Sequence, residues 1–89
     1  MEIKSFGKKY HIYSVKDELT GRLHNPIFME SDPEAIRWFT YVLNTTDMWK
    51  MNAACYSLYR LGDFDDINGI ADYPVMEMVQ GGVAVLKEE

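Results

Sequence analysis

Ser31-Asp32-Pro33-Glu34-Ala35-Ile36-Arg37-Trp38-Phe39-Thr40-Tyr41-Val42-Leu43-Asn44 is the stretch on which the fold turns. Ser31 and Glu34 have the Ser-x-x-Glu spacing in which each side chain satisfies an exposed backbone N–H of the other, and Pro33 sits where a missing N–H costs nothing. A phase with Asp32 as the cap begins the same helix. Ala35, Ile36, Phe39, Val42 and Leu43 then recur at three- and four-residue steps, which predicts an amphipathic helix of about three turns. Trp38 and Tyr41 widen its apolar stripe. Asn44-Thr45-Thr46-Asp47 ends it, because short polar side chains compete for the helical backbone.

A helix with one apolar stripe needs a surface to cover, and the segments on either side read as strands. Residues 10–15, Tyr-His-Ile-Tyr-Ser-Val, are β-branched and aromatic. Their two faces, Tyr10, Ile12 and Ser14 against His11, Tyr13 and Val15, are both apolar enough to be buried. Pro26-Ile27-Phe28-Met29-Glu30 reads as a second short strand with proline confined to its first residue. Residues 48–55 fit either a short helix opened by Asp47 or a packed connection. Residues 56–64 form a strand, Asp65-Asp66-Ile67-Asn68-Gly69 a tight turn, and residues 70–73 the returning strand, which 75–79 can extend beyond Pro74. Val83-Ala84-Val85-Leu86 reads as a last short strand. The expectation is an α+β domain in ββαββ order, with four to five antiparallel strands and one main amphipathic helix packed on them.

With 89 residues, 47% of them apolar and 13% aromatic, the chain suffices for one domain over residues 1–89 and one core. Cys55 is the only cysteine, so no internal disulfide can form and a cytoplasmic setting is expected. The first nine residues are polar, and no apolar run approaches the ~20 residues of a membrane span. A core this small without staples favours association, so a homo-oligomer is expected. Net charge is −5, and it is unevenly spread: residues 1–28 carry +2 and residues 29–89 carry −7. The amino-terminal third is therefore the part suited to an anion.

No catalytic constellation, cofactor motif or metal site is legible. In Asp63-Phe64-Asp65-Asp66-Ile67-Asn68-Gly69 the EF-hand register fails, since counting back from Gly69 puts Phe64 first and Val75 twelfth. His11 and His24 have no second ligand at a zinc spacing, and Cys55 reads as a small packing residue. Gly81-Gly82 lacks the surroundings of a phosphate-cradling loop. The expectation is a non-enzymatic protein. Two constellations remain. Lys8, Lys9, Tyr10, Tyr13 and Lys16, with Tyr59 and Arg60 on a strand that can pair nearby, combine rings on which bases stack with cations that follow phosphates. Tyrosines on strands also serve as cross-strand packing. Asp63, Asp65 and Asp66 form an acidic hairpin suited to a basic protein partner.

The order Ile12-Tyr13-Ser14-Val15-Lys16-Asp17, then Pro26-Ile27-Phe28 before Ser31-Asp32-Pro33-Glu34-Ala35, then Tyr56-Ser57-Leu58-Tyr59-Arg60-Leu61-Gly62-Asp63-Phe64-Asp65-Asp66 with Gly69 beyond, resembles the small nonstructural protein of gokushovirus-type microviruses. These are phages with single-stranded DNA genomes. The resemblance covers residues 10–73 and implies a non-enzymatic protein absent from the virion, which binds DNA or shifts replication toward single strands for packaging. Single-stranded DNA and phage replication or capsid proteins are the partners it implies. The Leu61–Asp66 motif carries over as a family feature, but its acidic groups repel phosphate.

Overall fold

The computed structural model describes residues 9–87, apart from the side chains of residues 72–74. The elements in order are β1 (Lys9–Asp17), β2 (Arg22–Leu23), β3 (Ile27–Met29), α1 (Asp32–Thr45), α2 (Asp47–Met51), a 3₁₀ turn (Ala53–Cys55), β4 (Tyr56–Asp65), β5 (Gly69–Gly81) and α3 (Gly82–Val85). All pairings are antiparallel. Strand β1 is central, with β4 on one side and β2 and β3 end to end on the other; β5 lies beyond β4.

Helix α1 starts as its capping residues require. The Ser31 hydroxyl accepts the Glu34 N–H, and the Glu34 carboxylate accepts the Glu30 N–H at 3.3 Å. Ala35, Phe39 and Leu43, spaced four apart, are fully buried against Tyr13, Val15 and Leu58 of the sheet. This two-layer contact is the core. Residues 48–55 resolve into α2 and the 3₁₀ turn, which brings Trp49 to stack on Tyr56 at 4.9 Å and to meet the His24 ring edge at 4.8 Å.

Three expectations about the order change. Strand β2, only two residues long, is extra, held where β1 continues past its predicted end to Asp17. Two short helices, α2 and α3, join the main one. Residues 83–86 do not make a strand: their β-branched run is overridden by tertiary contacts, as strand propensity readily is. Gly82 opens α3 against the backbone, where an added Cβ would meet the Ala53 carbonyl oxygen at 2.3 Å and that of Tyr56 at 2.7 Å. Asn44 then clamps the turn, its amide donating to the Val85 carbonyl at 2.9 Å and its Oδ1 accepting the Lys87 N–H at 2.8 Å.

Irregular pairing shapes the outer strands. Tyr13 pairs with Arg60 and Ile12 with Gly62, which leaves Leu61 as an extra residue of β4. On the other side of β4, Arg60 pairs with Glu77 and Gly62 with Asp72, so residues 73–76 of β5 stand opposite Leu61 alone. A bulge shifts the facing of every side chain beyond it. Past these bulges β4 and β5 run on to the turn, where Gly69 adopts φ +93°, open to glycine at little cost.

Candidate nucleic-acid interface

Alternation along β1 sends Tyr10, Ile12, Ser14 and Lys16 to one face and His11, Tyr13 and Val15 to the face under α1. Tyr10 and Tyr13 therefore cannot serve one site. Tyr13 has no exposed surface and its hydroxyl donates to Asp32 at the start of α1. Burial first, then the Asp32 carboxylate, holds that hydroxyl well above the usual tyrosine range. The Leu61 bulge brings Arg60 to the same face, where its guanidinium donates to both Asp32 oxygens at 3.0 Å and to Glu77 at 2.5 Å. Tyr13 and Arg60, expected on a DNA surface, instead tie β1, β4 and β5 to the helix.

The other basic residues divide. On the opposite face the Lys16 ammonium lies 5.4 Å from the Tyr59 ring centroid and 3.9 Å from Glu18, while the Tyr59 hydroxyl donates to Glu18 at 2.7 Å. That bond, with burial second, pushes the Tyr59 hydroxyl up in pKa. The trio is electrostatically closed: Lys16 has an acidic neighbour of its own. Lys9 is exposed and paired in register with Asp65. Lys8 lies outside the described residues.

The acidic hairpin is also largely occupied with itself. Asp63 is 2.6 Å from His11 Nδ1, across the β1–β4 ladder. Asp65 accepts the N–H groups of Ile67 at 2.7 Å and Asn68 at 3.2 Å, which hold its carboxyl below the usual range. Two of the three acids proposed for a partner thus organise the turn and its ladder, and Asp66 stands exposed beside them. Among the described residues no group of three or more histidine, cysteine, aspartate or glutamate side chains is placed to hold a metal.

What the structure does gather is a set of rings from distant parts of the chain. Phe28 of β3 meets Phe64 of β4 edge-on at 5.5 Å, and Tyr10 lies 6.3 Å from Phe64. Tyr10, Phe28, Met29 and Glu30, around the β3 edge of the sheet, also border an open groove of about 690 Å³ that is lined on its helix side by Glu34, Arg37, Trp38 and Tyr41 of α1. Tyr41 is 68% exposed and Phe28 48% exposed, although both are large and apolar. Arg37 is exposed and has no carboxylate partner among the described residues.

Of the expected site residues that the structure describes, only Tyr10 belongs to this groove. Phe28, Arg37, Trp38 and Tyr41 were readable as strand and helix residues but not as a site, because they lie on different elements and the pairing of β1 with β3 is what unites them with Tyr10. A signal did exist. Trp38 and Tyr41 fall beside the line of Ala35, Phe39 and Leu43 and so give α1 more apolar surface than one buried stripe uses.

No helix among the described residues is long and apolar enough to cross a membrane. No curated protein and no solved structure matches the chain. A family model described as Phage ORF5 protein matches residues 10–84, a span that takes in all of the sheet but Lys9 and every residue of the groove, and the chain thus belongs to the phage ORF5 protein family.

Proposed function

We propose that this phage protein is a non-catalytic accessory factor of single-stranded DNA replication or packaging, as its resemblance to the gokushovirus-type nonstructural proteins implies, and that it holds unpaired DNA in the aromatic groove. The observation that carries the reading is the gathering of Tyr10, Phe28, Trp38 and Tyr41 around one open channel with Arg37, which has no carboxylate partner among the described residues. Unpaired bases present flat apolar faces, and each stacked base contributes about 1–3 kcal/mol. A duplex hides those faces, so a groove of rings discriminates against it. Action in the host cytoplasm, as a homo-oligomer, belongs to the same reading.

Charge sets the character of the binding. The chain is acidic and the groove carries Glu30 and Glu34 beside Arg37. Phosphates therefore contribute few contacts, and the dependence on salt is shallow for a nucleic-acid binder. The test is fluorescence anisotropy of a labelled single strand and of the matching duplex at two salt concentrations. Expected is a preference for the single strand, with Trp38→Ala weakening it about 5- to 150-fold, the loss of one stacked base. Absence of single-strand binding at low salt would refute the reading.

A second reading has its own support in Glu30 and Glu34: a basic segment of a replication or capsid protein would find carboxylates and rings together in this groove. The acidic hairpin, the earlier candidate for such a partner, has Asp63 and Asp65 already bonded. Arg37→Glu separates the two occupants, since it weakens a nucleic acid and strengthens a basic peptide.

A further inference from the structure

We infer that Glu34 makes the groove selective among bases, favouring those with an exocyclic amino group over thymine. The inference rests on the single-strand reading and adds what that reading leaves open. Stacking alone sorts bases only modestly, because every base has a π-face. Sorting needs polar groups fixed in place beside the rings, and α1 supplies them at positions 34, 37, 38 and 41, one stripe of the helix facing the groove.

Glu34 is fixed at both ends. Its backbone N–H donates to the Ser31 hydroxyl, and one carboxylate oxygen is pinned by the Glu30 N–H at 3.3 Å. The second oxygen has no partner among the described residues. It is an acceptor beside Trp38, with a guanidinium donor one turn further along the same stripe. In an unpaired base the Watson–Crick edge is free. Cytosine there offers an amino donor next to ring and carbonyl acceptors, and guanine offers ring N–H and amino donors next to a carbonyl acceptor; both patterns complement a carboxylate with a guanidinium. Thymine presents two carbonyl acceptors around one N–H, so a carboxylate meets oxygen on either side of it. The same residue that weakens phosphate binding by its charge thereby acquires a use.

The test compares oligo-dC, oligo-dA and oligo-dT of equal length against the wild-type chain and Glu34→Gln, by competition anisotropy. Glutamine keeps the oxygen that accepts the Glu30 N–H, but its amide both donates and accepts, so it no longer sorts the bases. Expected is wild-type binding of oligo-dC at least about fivefold tighter than oligo-dT, as one good polar contact provides, and a dC-to-dT ratio near one in Glu34→Gln, whatever gain the loss of the charge gives to both. Equal wild-type affinities for all three would overturn the inference and leave single-strand binding standing. So would a uniform gain for every oligonucleotide in Glu34→Gln that leaves the wild-type ratio unchanged, which marks simple relief of repulsion. Failure of all three to bind would remove the single-strand reading itself.

Discussion

Strand β4 passes through two environments, and the contrast between them explains where this small protein keeps its stability. At its start, Tyr56 and Leu58 lie under α1 and are 7% and 0% exposed. Beyond Leu61 it enters the outer hairpin with β5, where Ile67, Ile70 and Val75 are 54%, 61% and 76% exposed. The backbone ladder is present in both halves; the second layer is present in one. Ladder hydrogen bonds exchange for bonds to water at small net gain, whereas buried apolar surface does not, so the helix-covered half holds the fold and the outer hairpin opens first.

The largest expected effect tests that asymmetry directly. Phe39→Ala should cost about 3–5 kcal/mol in urea denaturation, most of the stability of a domain this size, while Ile70→Ala should stay within about 0.5 kcal/mol. Comparable losses would mean that the hairpin is packed against something. Next, Asp32→Ala removes the acceptor shared by Tyr13 and Arg60 and should cost about 1–3 kcal/mol, as charged hydrogen bonds do, while Glu77→Gln, at a far more exposed end of the same network, should cost under about 1 kcal/mol.

Alkaline pH sharpens the comparison from the same residues. The Tyr13 hydroxyl is held neutral in the folded chain, so its contribution is fully present below the ordinary tyrosine pKa of about 10 and is lost as pH rises beyond it. The melting temperature should therefore fall above that pH, and Tyr13→Phe should fall less steeply, with Tyr56 and Tyr59, also shifted upward, supplying the remainder. The smallest effect belongs to the hairpin. Asp65 has its carboxyl held low, so its bonds to the turn persist above the usual aspartate range and are lost only as pH falls through the lowered value. The amide resonances of Ile67 and Asn68 should titrate there, and Asp65→Asn should abolish that titration without moving the core.

Much of the helix-covered half was legible because its signals are local. Ser31 and Glu34 act as their spacing predicts and the Ala35–Phe39–Leu43 line is the buried one, while in the outer hairpin Gly69 takes the positive φ that its turn asks for. What stayed hidden depends on pairing. A single extra residue, Leu61, decides that Arg60 joins Tyr13 under the helix; Gly62 beside it marks a bend in the strand but not which side chain changes face. The groove was hidden for the same reason, being assembled from β1, β3 and α1. The final helix was missed because Gly82 is explained by its contact with Ala53 and Tyr56, not by its neighbours in sequence.

Among the described residues strand β5 is the outermost of the sheet, with 13 residues and one side unpaired, a length on which foreign chains could build. The four-residue excursion opposite Leu61 contains Pro74, which has no N–H to offer, and so an incoming strand meets two short runs in place of one continuous template. The border of the sheet is therefore a poor template for continuous strand addition.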